Sequence, residues 1–271
     1  MTHTLHRYGP YPDLTDDYIV FAMPARGYND RDAVERQREF LRLALRHDPV
    51  NIGDSKKGGA FHAEEGLGPG VHWRRNGGMD PGTVIEGVDS PGLVSAVFDR
   101  YEAVEAFVRE LEAADLGLSV NVSSLADRAE ACCRACGLTR HSVEYSLGFR
   151  GRTERLPEEP ALRLSTMCGH GMVSPRLAGK MLERVREGRR SPEEAAGTLA
   201  RFCVCGVFNP ARAARILAGG EPRGVGARDR GELGEHLPGV HPEKHSRIAS
   251  SRASAERPLS GSSRPRNDTL T

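Results

Sequence analysis

Two short clusters of soft ligands stand out in this chain: Cys168-Gly169-His170 and Cys203-Val204-Cys205. Three thiolates and an imidazole are the donor set that zinc takes in closed tetrahedral sites. Thiolates also hold iron–sulfur clusters, in which an imidazole sometimes replaces one sulfur. In an enzyme such a centre acts as Lewis acid or electron carrier. The spacing does not choose between the two. Cys-x-Cys and Cys-x-His are tighter than the usual Cys-x₂₋₄-Cys zinc pattern, and buried small thiols with no metal are a third reading. The metal set expected here is Cys168, His170, Cys203 and Cys205, with an iron–sulfur cluster favoured over zinc.

The residues between the clusters predict the geometry that joins them. Ser174-Pro175 and Ser191-Pro192-Glu193-Glu194 each read as a helix N-cap followed by Pro at the first helical position. A helix near 175–187 would run roughly 20 Å, and one near 192–201 would return roughly 15 Å. The turn at Gly188-Arg189-Arg190 makes them antiparallel neighbours, which brings the two clusters together at one end. A third such start, Asn209-Pro210, opens a helix to about Leu217 beside Cys205, where its positive end would favour a thiolate.

A second candidate lies in Gly53-Asp54-Ser55-Lys56-Lys57-Gly58-Gly59. Glycines, a hydroxyl and two lysines after a strand can cradle an anion, so Ser55, Lys56 and Lys57 are candidate contacts to a phosphate or carboxylate ligand. The loop lacks the Walker A spacing. The glycine-rich insert that follows, to about Gly92, contains His62, Glu64, Glu65 and His72 as polar groups able to move protons. Its Trp73, next to Arg74 and Arg75, is a stacking candidate. Cys132, Cys133 and Cys136 sit in a predicted helix, where small apolar side chains at helical spacing read mainly as core.

These groups hang on alternating strands and helices. Tyr18–Met23, 49–52, Leu93–Phe98, 118–124 and Ser142–Phe149 read as strands, with a further one at 83–88; helices are expected over about 31–46, 102–114 and 125–136. Val34 and Asn51 in the first strand–helix–strand stretch match Val104 and Asn121 in the second at equal spacing. This predicts a duplicated unit in an α/β fold, either doubly wound or a ferredoxin-like split arrangement. The expected organisation is an α/β domain at 15–155, a small α-helical cysteine module at 160–218, and a disordered tail at 219–271 rich in Ser, Arg, Pro and Gly. A Pro- and Glu-containing linker joins the first two.

The 38 basic residues balance the 37 acidic ones, for a net charge of +1. Such a chain sets up no field that recruits nucleic acid or an anionic membrane. No apolar run is long enough to span a bilayer, and no leader precedes the first strand, so a cytoplasmic protein with reduced cysteines is expected. Neither a reaction nor an oligomeric state follows from these patterns. A non-enzymatic regulatory protein with a zinc-stapled helical module stays open beside the metal-centre reading.

Overall fold

The computed structural model describes residues 7–61, 80–146 and 148–220, which all fall within one compact unit. A short helix α1 (Tyr11–Leu14) leads into strand β1 (Tyr18–Met23), helix α2 (Ala33–Leu45), strand β2 (Asn51–Asp54) and a two-residue strand β3 (Gly58–Gly59). Helix α3 (Pro81–Gly87), strand β4 (Val94–Phe98), helix α4 (Tyr101–Ala114), strand β5 (Ser119–Ser123) and helix α5 (Ala126–Ala135) follow. Four further helices close the described chain: α6 (Glu159–Ser165), α7 (Pro175–Arg186), α8 (Pro192–Ala200) and α9 (Pro210–Leu217).

The five strands form one sheet in the order β3-β2-β4-β1-β5. Every ladder among the described residues is antiparallel. This excludes the doubly wound alternative, whose strands pair in parallel. The two strand–helix–strand units, β1-α2-β2 and β4-α4-β5, interleave so that β4 and β1 lie side by side at the centre, the split β-α-β pattern. The matched spacing from Val34 to Asn51 and from Val104 to Asn121 is therefore carried by elements in equivalent places.

Strand alternation divides the core in two. Tyr18, Val20 and Ala22 of β1 pack with Phe40, Leu41, Val104 and Phe107 of α2 and α4. Phe40 and Phe98 each set a ring 5–5.5 Å from Phe107, within the separations that aromatic pairs favour. Ile19, Phe21 and Val97 point the other way, into a core shared with Leu164, Met181, Leu199, Phe208 and Ile216 of the C-terminal helices. Both faces of the sheet are covered, which is why β1, and β4 apart from Ser95, read as apolar runs. The C-terminal helices thus form the second layer of the sheet and share its core.

Several expected elements differ. Residues 83–88, read as a strand, lie mostly in α3, because the Asp80 carboxylate accepts a hydrogen bond from Thr83 N–H and Pro81 occupies the first turn. Ser142–Phe149 forms no strand among its described residues. Val143, Tyr145 and Phe149 are exposed there, and Gly148 turns the chain at φ +68°. Helix α2 starts after Asp32, not Asp30, and Asp32 is itself left-handed at φ 56°. The long insert is in part structured, by β3 and α3, while His62, Glu64, Glu65, His72 and Trp73 lie outside the described residues. So does the expected tail, apart from Gly219 and Gly220. No helix among the described residues is long and apolar enough to cross a membrane.

Candidate metal centre

Helices α7 and α8 bring the two cysteine clusters together. The Ser174 hydroxyl caps α7 by accepting from Leu177 N–H at 3.2 Å. Ser191 and Glu194 form a reciprocal capping box at the start of α8. At the far end of this pair the thiol of Cys168 lies close enough to that of Cys203 to influence its proton. Cys203 Sγ lies 3.9 Å from Cys205 Sγ, and Cys205 Sγ lies 3.6 Å from His170 Nδ1. All four residues expected as ligands are joined by this run of contacts. The three cysteines are buried, at 2 % exposure or less, whereas His170 is exposed.

The two loops that present them are built alike. In each, a cysteine opens a turn whose fourth residue is a glycine with positive φ, Gly171 at +69° and Gly206 at +72°. Gly171 N–H bonds to Cys168 O at 3.0 Å, and Gly206 N–H to Cys203 O at 3.5 Å. The first and third residues of each turn are the candidate ligands. Backbone N–H groups then point at the sulfurs: those of His170 and Met172 at Cys168, that of Phe208 at Cys203, and that of Val207 at Cys205. Hydrogen bonds of this kind favour the thiolate over the thiol and orient it.

The second turn is pressed against the sheet. A side-chain carbon at Gly53 of β2 would come within 2.6 Å of Cys205 O and 2.7 Å of Gly206 Cα. Ser95 of β4 donates its hydroxyl to Cys205 O at 2.9 Å, and Asn51 of β2 donates its amide to Phe208 O at 2.9 Å. Gly53, Ser95 and Gly206 are therefore parts of the site that composition and motif spacing did not reveal. The Cys-x-Cys-Gly ending was the available signal, since a glycine after tight ligands marks a left-handed turn.

Without a metal the thiols govern one another's protons. The Cys203 hydrogen bond and then burial push the Cys168 thiol far above its ordinary value. For Cys203, the bond with Cys168 favours ionisation, but the bond with Cys205 and burial outweigh it and leave the thiol pushed up to about 12. Cys205 is the exception: the hydrogen bond from Cys203 lowers it despite burial, with Val207 N–H and the charge of Arg7 acting the same way.

Arg7 enters from the N-terminal segment with 7 % of its side chain exposed. Its guanidinium donates to Val207 O and pairs with Asp17 at 2.8 Å. Asp17 also accepts from Arg212 at 2.8 Å, and Arg212 reaches Asp13 at 3.0 Å through Nε. Arg212 is fully buried in this network.

Among the described residues no group of three or more His, Cys, Asp or Glu side chains is already poised around a metal position. The contacts are pairwise. Those from Cys203 to Cys205 and from Cys205 to His170, at 3.9 and 3.6 Å, have the separations of two ligands on one ion. Two ligands of one tetrahedral ion, with metal–sulfur bonds of about 2.3 Å and metal–nitrogen bonds of about 2.05 Å, stand ~3.8 Å apart for S···S and ~3.6 Å for S···N.

The other candidates separate from this site. Cys132 is buried in the core on the opposite face of the sheet, its thiol pushed up to about 12 by burial first and Cys136 second. Cys136 donates to Glu105 O, so this trio packs against α4. The Ser55-Lys56-Lys57 stretch is the turn between β2 and β3. Lys56 Nζ donates to Ser90 Oγ and to Pro91 O at 3.2 and 2.5 Å, Lys57 pairs with Asp89 at 2.6 Å, and Ser55 Oγ accepts from Leu93 N–H. Both ammonium groups thus hold the turn against residues 89–93. Asp54 lies on the sheet face of Ile52, away from the thiols. Its Oδ2 is buried with no hydrogen-bond partner among the described residues, and burial raises its pKa. Comparison of the chain with protein families, characterised proteins and solved structures finds no match.

Proposed function

We propose that this chain is a metalloprotein in which Cys168, Cys203, Cys205 and His170 hold a single tetrahedral ion, zinc or ferrous iron. The observation that carries this reading is the pair of contacts Cys203–Cys205 and Cys205–His170 at ligand separations, presented with Cys168 by two matched turns whose backbone N–H groups aim at sulfur. The same lengths favour one ion over an iron–sulfur cluster, because thiolates on different irons of a cluster stand farther apart than two ligands of one ion. Binding would close Cys168 onto the other three and expel the thiol protons. In this reading the ion ties the turn after α6 to the turn after α8, and the α7–α8 pair becomes a metal-stapled layer of the fold. It serves a regulatory protein or an enzyme equally well; the exposed imidazole leaves one side of the ion within reach of a small molecule.

Metal analysis of full-length protein purified without oxygen tests the proposal. One equivalent of zinc or iron without acid-labile sulfide is expected, lost in Cys203→Ala and kept in Cys132→Ala. Iron with stoichiometric sulfide would replace the single ion by a cluster. Equal metal content in Cys203→Ala and the parent, or no metal after anaerobic reconstitution, would return the thiols to the core.

A further inference from the structure

The sheet is finished differently at its two edges. At one, β3 is only two residues long and the turn before it carries Lys56 and Lys57. Short strands and lysines are the usual means of keeping an edge from pairing with another chain. The other edge, β5, has neither. It is the five-residue run Ser119-Val120-Asn121-Val122-Ser123, without a charge or a proline. Its inner side pairs with β1, and its outer side carries no ladder among the described residues. Residues 142–146 share with β5 the lining of a cavity of about 430 Å³ but form no strand beside it. All of β2 and β4 is buried, whereas no residue of β5 is, and Val120 is 40 % exposed.

This strand reads the same in both directions. Two antiparallel strands are related by two-fold axes that pass between directly opposed residues. A second β5 laid antiparallel, with Asn121 opposite the partner's Asn121, therefore sets Val120 opposite the partner's Val122 and Ser119 opposite the partner's Ser123, each pair twice. The register with β1 puts Val120 and Val122 on the sheet face of Ala22 and Val20, toward α2 and α4. Valine then meets valine on that face, while hydroxyl meets hydroxyl and amide meets amide on the other. Such cross-strand pairs are the unit of sheet stability, and no like charges face each other here. An unrelated peptide would match this pattern by accident, whereas a second copy matches it by construction. We propose that this chain forms a two-fold dimer by pairing β5 with β5 of a second copy, which joins the two five-stranded sheets into one. The exposed Val143 and Tyr145, which line the same cavity as Asn121, Val122 and Ser123, lie where they can widen the contact. One strand pair is at the small end of specific interfaces, so dissociation at micromolar concentration is expected. The proposal is independent of any metal at the cysteines.

Sedimentation velocity of the full-length protein, from roughly 1 to 200 μM, tests it. A reversible monomer–dimer equilibrium is expected for the parent. Asn121→Lys and Asn121→Asp each place two like charges about 5 Å apart on the two-fold axis and should weaken the dimer about tenfold or more. An equimolar mixture of the two variants opposes lysine to aspartate and should restore association. Restoration on mixing is an outcome that two misfolded variants could not give. A parent that stays monomeric throughout the range would overturn the proposal. So would a dimer that both variants leave intact, or a mixture that associates no better than either variant alone.

Discussion

Gly171 and Gly206 occupy the same position in two matched turns and have nearly the same backbone angle, yet their surroundings differ. A side-chain carbon at Gly171 meets nothing within 4 Å, whereas one at Gly206 would lie 2.6 Å from Gly53 Cα and 2.7 Å from Ile52 O. Both obstacles are backbone atoms of a central layer and cannot rotate away. Gly171→Ala should therefore cost only the left-handed conformation, about 1–2 kcal/mol. Gly206→Ala adds overpacking of roughly 1–3 kcal/mol, for a total of about 2–5 kcal/mol. Urea unfolding of both variants in the presence of a chelator measures these losses without a contribution from bound metal. Metal affinity, measured separately, should fall more in Gly206→Ala, because the turn that presents Cys203 and Cys205 must lift from β2. Equal losses in the two variants would show that the turn does not rest on the sheet as described, and would remove the support for Gly53 and Gly206 as parts of the site.

Two further outcomes follow from the buried charges and thiols. The Cys168 and Cys203 thiols are held protonated well above neutral pH and must ionise to bind metal. Metal affinity should thus rise with pH, by about a hundredfold or more per unit for the two or more thiol protons released, between about pH 7 and 8.5; a flat profile in competition titrations would contradict the ligand assignment. Replacing Arg212 by Met leaves Asp13 and Asp17 buried with only Arg163 and Arg7 as charged partners among the described residues. The loss should be about 3–5 kcal/mol, the usual cost of breaking a buried ion pair from one side; a loss below about 1 kcal/mol in urea unfolding would mean that the network relaxes freely.

The sequence carried the local grammar of this fold better than its long-range contacts. The Ser174-Pro175, Ser191-Pro192 and Asn209-Pro210 starts mark helices because capping and the fixed Pro angle act within one turn of chain. The same grammar at Asp80-Pro81 prevails in the fold over the β-branched Thr83, Val84 and Ile85, whose types favour a strand reading. Ser142–Phe149 shows the opposite failure: alternation makes a strand possible, but a strand needs a neighbour, and pairing is decided elsewhere in the chain. The ligand residues were legible because their types are scarce and their spacing tight. Gly53 and Ser95 were not, since their part in the site comes only from the sheet lying under the second turn, and Arg7 reaches it across 200 positions of chain from the N-terminal segment. The paired state of Lys56 and Lys57 was hidden for the same reason, because their partners lie more than thirty positions away.

The buried charges give the site one more element of consistency. Arg7, Arg163 and Arg212 bring three positive charges to the network beneath the thiols, against two negative charges on Asp13 and Asp17. Arg7 is the member that reaches the thiols. Burial disfavours its charged form most, Asp17 counters that, and negative charge at Cys203 counters it further. The N-terminal segment that supplies Arg7 thus adjoins the turn that carries Cys203 and Cys205, through the bond from Arg7 to Val207 O.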